Sequence, residues 1–102
     1  MDAVELVKHF LRAQNLEQLG RVEEAIVLYE EAVEAGFDST GPYDRLIALY
    51  SDQALHAEVT RVALAALTNV QTHEGKREWY ARMRAEAQKA AANVPQAAKK
   101  RT

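Results

Sequence analysis

Two stretches of this 102-residue chain can be laid over one another at an offset of 34 residues, which puts Leu16 on Tyr50 and Ala32 on Ala66. The first reads Leu16, Gly20, Ala25, Tyr29, Ala32, and the second Tyr43, Leu46, Tyr50, Ala66, Leu67. An offset of this length, with apolar residues at three- and four-residue steps, fits a pair of amphipathic helices. Such a pair cannot bury its apolar side alone and has to stack on another pair. An all-α chain built from helical hairpins is the expectation.

The spacing predicts five helices. Residues 2–19 carry Val4, Val7, Phe10, Leu11, Leu16 and Leu19 on a broad apolar face, and Asp2 and Glu5 sit where carboxylates complement the exposed amides of a helix start. Gly20 ends that helix, since glycine takes the left-handed conformation of a helix end at little cost. The short linker makes the next helix antiparallel. Residues 22–35 repeat the pattern through Val22, Ala25, Ile26, Tyr29, Ala32 and Val33, and Gly36 ends it. Ala25 and Ala32 let neighbouring helices approach while Tyr29 fills the space between them.

Ser39 or Thr40 is placed to cap a third helix, whose first turn accepts Pro42 and whose inner face is Tyr43, Leu46, Ile47 and Tyr50. A break at Ser51–Asp52–Gln53 precedes a fourth helix with Val59, Val62, Ala63, Ala66, Leu67 and Val70. The fifth covers residues 76–92 with Trp79, Tyr80, Met83, Ala87 and Ala91 inward. One helical domain is thus expected over residues 1–94, made of hairpins 2–36 and 40–70 and a capping helix 76–92. Residues 95–102, with Pro95, Lys99, Lys100 and Arg101, read as a basic flexible tail with little to bury.

Composition narrows the chemistry. Cysteine is absent, which excludes a disulfide framework, a thiol nucleophile and cysteine-ligated zinc. No apolar run reaches the roughly 20 residues needed to span a bilayer. Met1–Asp2–Ala3 does not open a basic-then-apolar secretion signal, so a soluble cytoplasmic protein without a membrane partner is expected. The net charge of −2 hides a partition: residues 1–70 hold 12 acidic and 5 basic side chains, and residues 71–102 hold 3 acidic and 8 basic.

Glu23, Glu24, Glu30, Glu31 and Glu34 are numerous enough for acid–base chemistry, but helical spacing spreads them over an outward, solvated face. His9, His56 and His73 are isolated and form no i, i+4 metal pair, and no glycine-rich phosphate loop is present. Nothing orders serine, histidine and aspartate into a nucleophile with its base. A non-enzyme without cofactor or metal is expected. Lys76, Arg77, Arg82, Arg84 and Lys89 around Trp79 and Tyr80 offer a nucleic-acid reading. Trp79 on an apolar stripe and the acidic remainder of the chain place that reading below a structural one.

Gly20, Ala25, Tyr29 and Ala32 in the first unit, and Tyr43, Leu46, Tyr50 and Ala66 in the second, resemble the tetratricopeptide repeat family. The first unit departs at His9, Arg12 and Phe37, and the second at Ala54, Val59 and Ala63, in a match that covers roughly residues 6–73. The resemblance implies a right-handed helical-hairpin stack, a TPR-like superhelix, whose concave face binds a peptide or helix of another protein. By position that face would hold Val7, Phe10, Gln14, Glu17 and Gln18 from the first helix and Asp44, Arg45, Ala48 and Asp52 from the third. Arg82 and Lys89 would come from the fifth. Some members grip a C-terminal carboxylate with lysine and asparagine; Phe10 and Gln14 stand there, so a peptide with an apolar anchor at Phe10 is expected instead. A homo-oligomer with Trp79 or Tyr80 at its seam is the alternative partner.

Overall fold

Three helix ends share one hydrogen-bonding device, and it fixes how the chain turns. The structure is a computed structural model that describes residues 1–71 and 73–100, with side chains to residue 93. It contains α1 (Ala3–Gln18), α2 (Val22–Glu34), α3 (Thr40–Asp52), α4 (His56–Asn69) and α5 (Glu74–Lys100). After α1, Gly20 has φ +80°. Its N–H donates to the Glu17 carbonyl at 3.0 Å, and the next N–H, of Arg21, to Leu16 at 2.8 Å. After α2, Gly36 and Phe37 repeat the pair to Val33 and Ala32 at 2.9 and 3.2 Å. After α3, Ala54 and Leu55 do so to Ser51 and Tyr50 at 3.0 and 2.9 Å. Each pair satisfies two carbonyls that the helix end leaves open and turns the backbone through a left-handed residue.

The third of these turns has no glycine. Ala54 holds φ +57° with a Cβ attached. The L-residue penalty there is about 1–2 kcal/mol. The left-handed position at residue 54 also moves the break: Ser51 and Asp52 lie inside α3, and the connection is Gln53–Leu55. At the start of α1, Asp2 accepts from the Glu5 N–H at 2.8 Å. Ser39 precedes α3 in extended conformation but makes no side-chain cap.

Successive helices reverse direction, with α2 between α1 and α3 and α4 between α3 and α5. The odd-numbered helices therefore form one layer and the even-numbered ones the other. Ala13, Ala25, Ala32, Ala63 and Ala66 are fully buried, so the helix backbones close up at these points. Tyr29, Tyr43 and Tyr80, also fully buried, fill the volume that the alanines leave, with Leu46, Ile47, Val59, Val62 and Val70 around them.

One boundary differs from expectation. α5 begins at Glu74 and runs to Lys100 instead of spanning 76–92, so the backbone is helical over most of the segment read as a flexible tail. Alanine density explains it: Ala85, Ala87, Ala90, Ala91, Ala92, Ala97 and Ala98 are strong helix formers. Arg101 and Thr102 lie outside the described residues.

Replacing Ala54 by glycine should relieve the left-handed strain and stabilise the protein by about 1 kcal/mol. A higher urea midpoint at unchanged m-value is the expected reading; an unchanged or lower midpoint would show that Ala54 is not strained.

Candidate binding groove

A buried phenol needs an acceptor for its hydroxyl, and this stack supplies three carboxylates for the purpose. Glu17 on α1 accepts from Tyr29 of α2 at 2.8 Å and from Arg45 of α3, whose Nε lies at 3.1 Å. Glu30 on α2 accepts from Tyr50 of α3 and from Arg61 of α4, whose Nη1 lies at 3.1 Å. Asp44 on α3 accepts from Tyr80 at 2.7 Å and pairs with Lys76 at 3.2 Å, both on α5. Each carboxylate is shared by one buried tyrosine and one cation. Glu30 is thus a bracing group and not simply part of a solvated acidic face.

The electrostatics follow. The hydrogen bonds from Arg45 hold the Glu17 carboxyl below the usual value against the opposing effect of burial, with Tyr29 adding to the depression. Burial, then the hydrogen bond to a carboxylate, pushes the phenols of Tyr29, Tyr50 and Tyr80 well above theirs. Burial, with a further push from the Asp38 charge and against the Asn69 hydrogen bond, raises the phenol of Tyr43, whose hydroxyl donates to the Phe37 carbonyl at 2.8 Å.

Phe10 is positioned by a different contact. A Cβ built on Gly41 would lie 2.7 Å from Phe10 Cε1 and 3.0 Å from Cε2, so the ring rests on the glycine backbone at the start of α3. Its other neighbour is Tyr29, with ring centroids 5.9 Å apart. Phe10 therefore joins α1 to α3 and is half-buried there.

Gly41, Ala48 and Asp52 follow one another along the outward strip of α3, with Arg45 on the flank toward α1 and Asp44 and Ser51 on the flank toward α5. A recess opens on either side of this strip. The one toward α1 is polar, lined by Gln14, Glu17, Gln18 and Arg45, with a volume of about 200 Å³. The one toward α5 is also about 200 Å³. Val59, Met83, Ala87 and Ala90 give it apolar walls, and Ser51, His56 and Glu86 add polar groups.

Of the residues expected on this face, Gln14, Glu17, Gln18 and Arg45 come together in one recess. Ala48 is half-buried and Asp52 exposed on the strip between the recesses. Asp44 is engaged by Tyr80 and Lys76. Val7 is exposed farther along α1, and Arg82 and Lys89 are exposed but line neither recess. The apolar recess was missed as a site; its signal was the i, i+4, i+7 row Met83, Ala87, Ala90.

Two basic side chains of α5 have structural partners. Lys76 lies 3.9 Å above the Trp79 ring as well as pairing with Asp44, and Arg77 donates to the Leu67 carbonyl at 2.7 Å. Tyr80 is fully buried within its own chain, so it is not available to an oligomer seam. Among the described residues no group of three or more acidic or histidine side chains is arranged to hold a metal ion. Nor is any helix long and apolar enough to cross a membrane. A scan against protein-family models and comparisons with curated proteins and with solved structures gave no match.

The titrations set a stability window. Because the folded Glu17 carboxyl sits below its unfolded value, its contribution is complete above about pH 4.5 and is lost as pH falls. The tyrosines sit above theirs, so their contribution is complete below about pH 10 and is lost as pH rises. Denaturation across pH should fall off on both sides, with Glu17→Gln narrowing the difference between pH 7 and pH 3. Tyrosinate absorbance should appear together with loss of helical ellipticity; tyrosinate forming in the intact helical protein would contradict the buried phenols.

Gly41→Ala should destabilise by about 1–3 kcal/mol, the cost of overpacking. In a double-mutant cycle with Phe10→Leu the two effects should be non-additive, since the smaller side chain makes room for the methyl. Additive effects would mean that ring and glycine are not in contact.

Proposed function

We propose that this chain is a non-enzymatic, cytoplasmic adaptor of tetratricopeptide type, which holds a peptide or helix of another protein along the outward strip of α3. The observation that carries this reading is the pair of recesses flanking that strip, one polar and one apolar, of similar size. The partner's side chains would reach into both: an apolar one against Met83, Val59 and Ala90, and a polar one between Gln14, Gln18 and Arg45. The expected apolar anchor at Phe10 passes to Met83, because Phe10 is held against Gly41.

The braces support a preformed groove. Glu17–Arg45 fastens α1 to α3, and Asp44 with Tyr80 and Lys76 fastens α3 to α5. Helices held this way keep the recesses open without a partner, which lowers the ordering cost of binding.

Peptides selected from a random library on the immobilised protein provide the test. In NMR titration they should shift amides of Gln14, Gln18, Arg45, Ala48, Ser51, Met83 and Ala90. Met83→Lys should weaken binding by about 1–2 kcal/mol or more, as loss of an apolar contact in the centre of an interface does. Val27→Ala, on the exposed side of α2, should leave affinity unchanged. Shifts confined to α2 and α4, or a Met83→Lys protein that binds as before, would remove the groove as the site.

A further inference from the structure

One end of the stack is finished and the other is not. At the α5 end the outward side chains are polar or small, among them Arg82, Gln88 and Lys89. At the α1 end Val4, Val7 and Leu11 are 63, 46 and 52% exposed. They follow one another at three- and four-residue steps, so they form a single strip, and the row continues to Gln14 and Gln18. Stacked helical arrays ordinarily close with a polar outer face, and apolar residues gathered in one strip mark a contact surface.

We propose that this strip is the interface of a two-fold homodimer in which α1 packs antiparallel on α1 of a second copy. The spacing of Val4, Val7 and Leu11 is that of a helix–helix seam. A two-fold axis near Val7 sets Val4 of each copy opposite Leu11 of the other, so one strip is complementary to itself.

Charge selects the second copy and its direction. Beside the strip, Glu5, Lys8 and Arg12 line a shallow recess of about 220 Å³ with Met1 and His9. His9 is bonded to Glu31 at 3.1 Å, whereas among the described residues Glu5, Lys8 and Arg12 make no ion pair within the chain. In an antiparallel pair the same flanks face each other, and Glu5 of each copy comes within reach of Arg12 of the other. Lys8 lies nearest the axis, where its stem lets the ammonium stay in water. In a parallel pair this flank would instead meet the opposite flank of the other copy, and neither Glu5 nor Arg12 would find its counterpart across the seam.

The contact uses the strip on both copies and leaves both α5 ends outward, so association stops at two instead of growing into a filament. It is centred on residues 4–11, whereas the polar recess lies at residues 14–18, so dimerisation stands or falls independently of the groove.

Sedimentation equilibrium should show a concentration-dependent monomer–dimer equilibrium for the full chain. Val7→Glu should give a monomer with unchanged helical ellipticity. Glu5→Arg should raise the dissociation constant about tenfold, and Glu5→Arg combined with Arg12→Glu should restore it. Because the chain has no cysteine, Val7→Cys supplies a reading that does not depend on the charged variant folding. Oxidation should link it into a covalent dimer, while Leu64→Cys, exposed on α4, should stay monomeric. A chain that remains monomeric up to about 1 mM would overturn the proposal, and so would a dimer indifferent to Val7→Glu or a Val7→Cys protein that fails to cross-link.

Discussion

The stack depends on burying tyrosine hydroxyls without leaving them unbonded. Tyr29 and Tyr80 are fully enclosed and Tyr50 nearly so, yet each hydroxyl reaches a carboxylate at the edge of the core. A carboxylate in that position is half removed from water, and it is stabilised there by a cation, from a further helix at Glu17 and Glu30 and from the tyrosine's own helix at Asp44. The result is a three-helix contact at Glu17 (α1–α2–α3), another at Glu30 (α2–α3–α4), and a two-helix contact at Asp44 (α3–α5). Alanine seams let helices approach but are nearly smooth along their length. The directional bonds at the carboxylates are what fix how far one helix slides against the next.

How much of this could be read in the sequence varies with the range of the interaction. Gly20 and Gly36 stop helices through their own backbone freedom, and Ala25, Tyr29 and Ala32 state a buried face by spacing alone; both signals are local, and both were legible. Ala54 carried no such mark, because its left-handed conformation is imposed by the hairpin closing around it. Nor did Glu17 and Glu30 differ from other surface glutamates: their partners lie 12 to 31 positions away, and only the stacking brings them close. Phe10 was recognised as apolar, but its direction was not, since the space it fills exists only because residue 41 lacks a Cβ. In the groove, the polar recess was legible as residues and the apolar one was not, as its walls come from α4 and α5, whose apolar positions read simply as core.

The braces also decide what the groove has to offer. Arg45 and Asp44, its two most obvious charges, are already engaged, the first by Glu17 and the second by Tyr80 and Lys76. A ligand that competed for either would have to break a three-way contact and loosen two helices. In the proposed mode of binding, a partner on this face would therefore be held by shape, by the apolar walls around Met83, and by Gln14, Gln18 and Asp52, which can bond without displacing a brace.

A part of the chain's uneven charge serves the same purpose. The first 70 residues are strongly acidic and the remainder basic, a pattern that in isolation suggests a cationic arm for an anionic partner. In the fold, the first turns of α5 direct that charge inward: Lys76 meets Asp44 on α3, and Arg77 meets the last carbonyls of α4 at Leu67 and Val70. A cation at a helix C-terminus is favoured both by the open carbonyls and by the helix dipole. With Trp79 and Tyr80 packed between them, these two contacts seat the start of α5 across α3 and α4. The partition is thus in part a docking code between one segment of the chain and the rest. It fixes where α5 begins, and so where Met83, Ala87 and Ala90 come to stand along the groove.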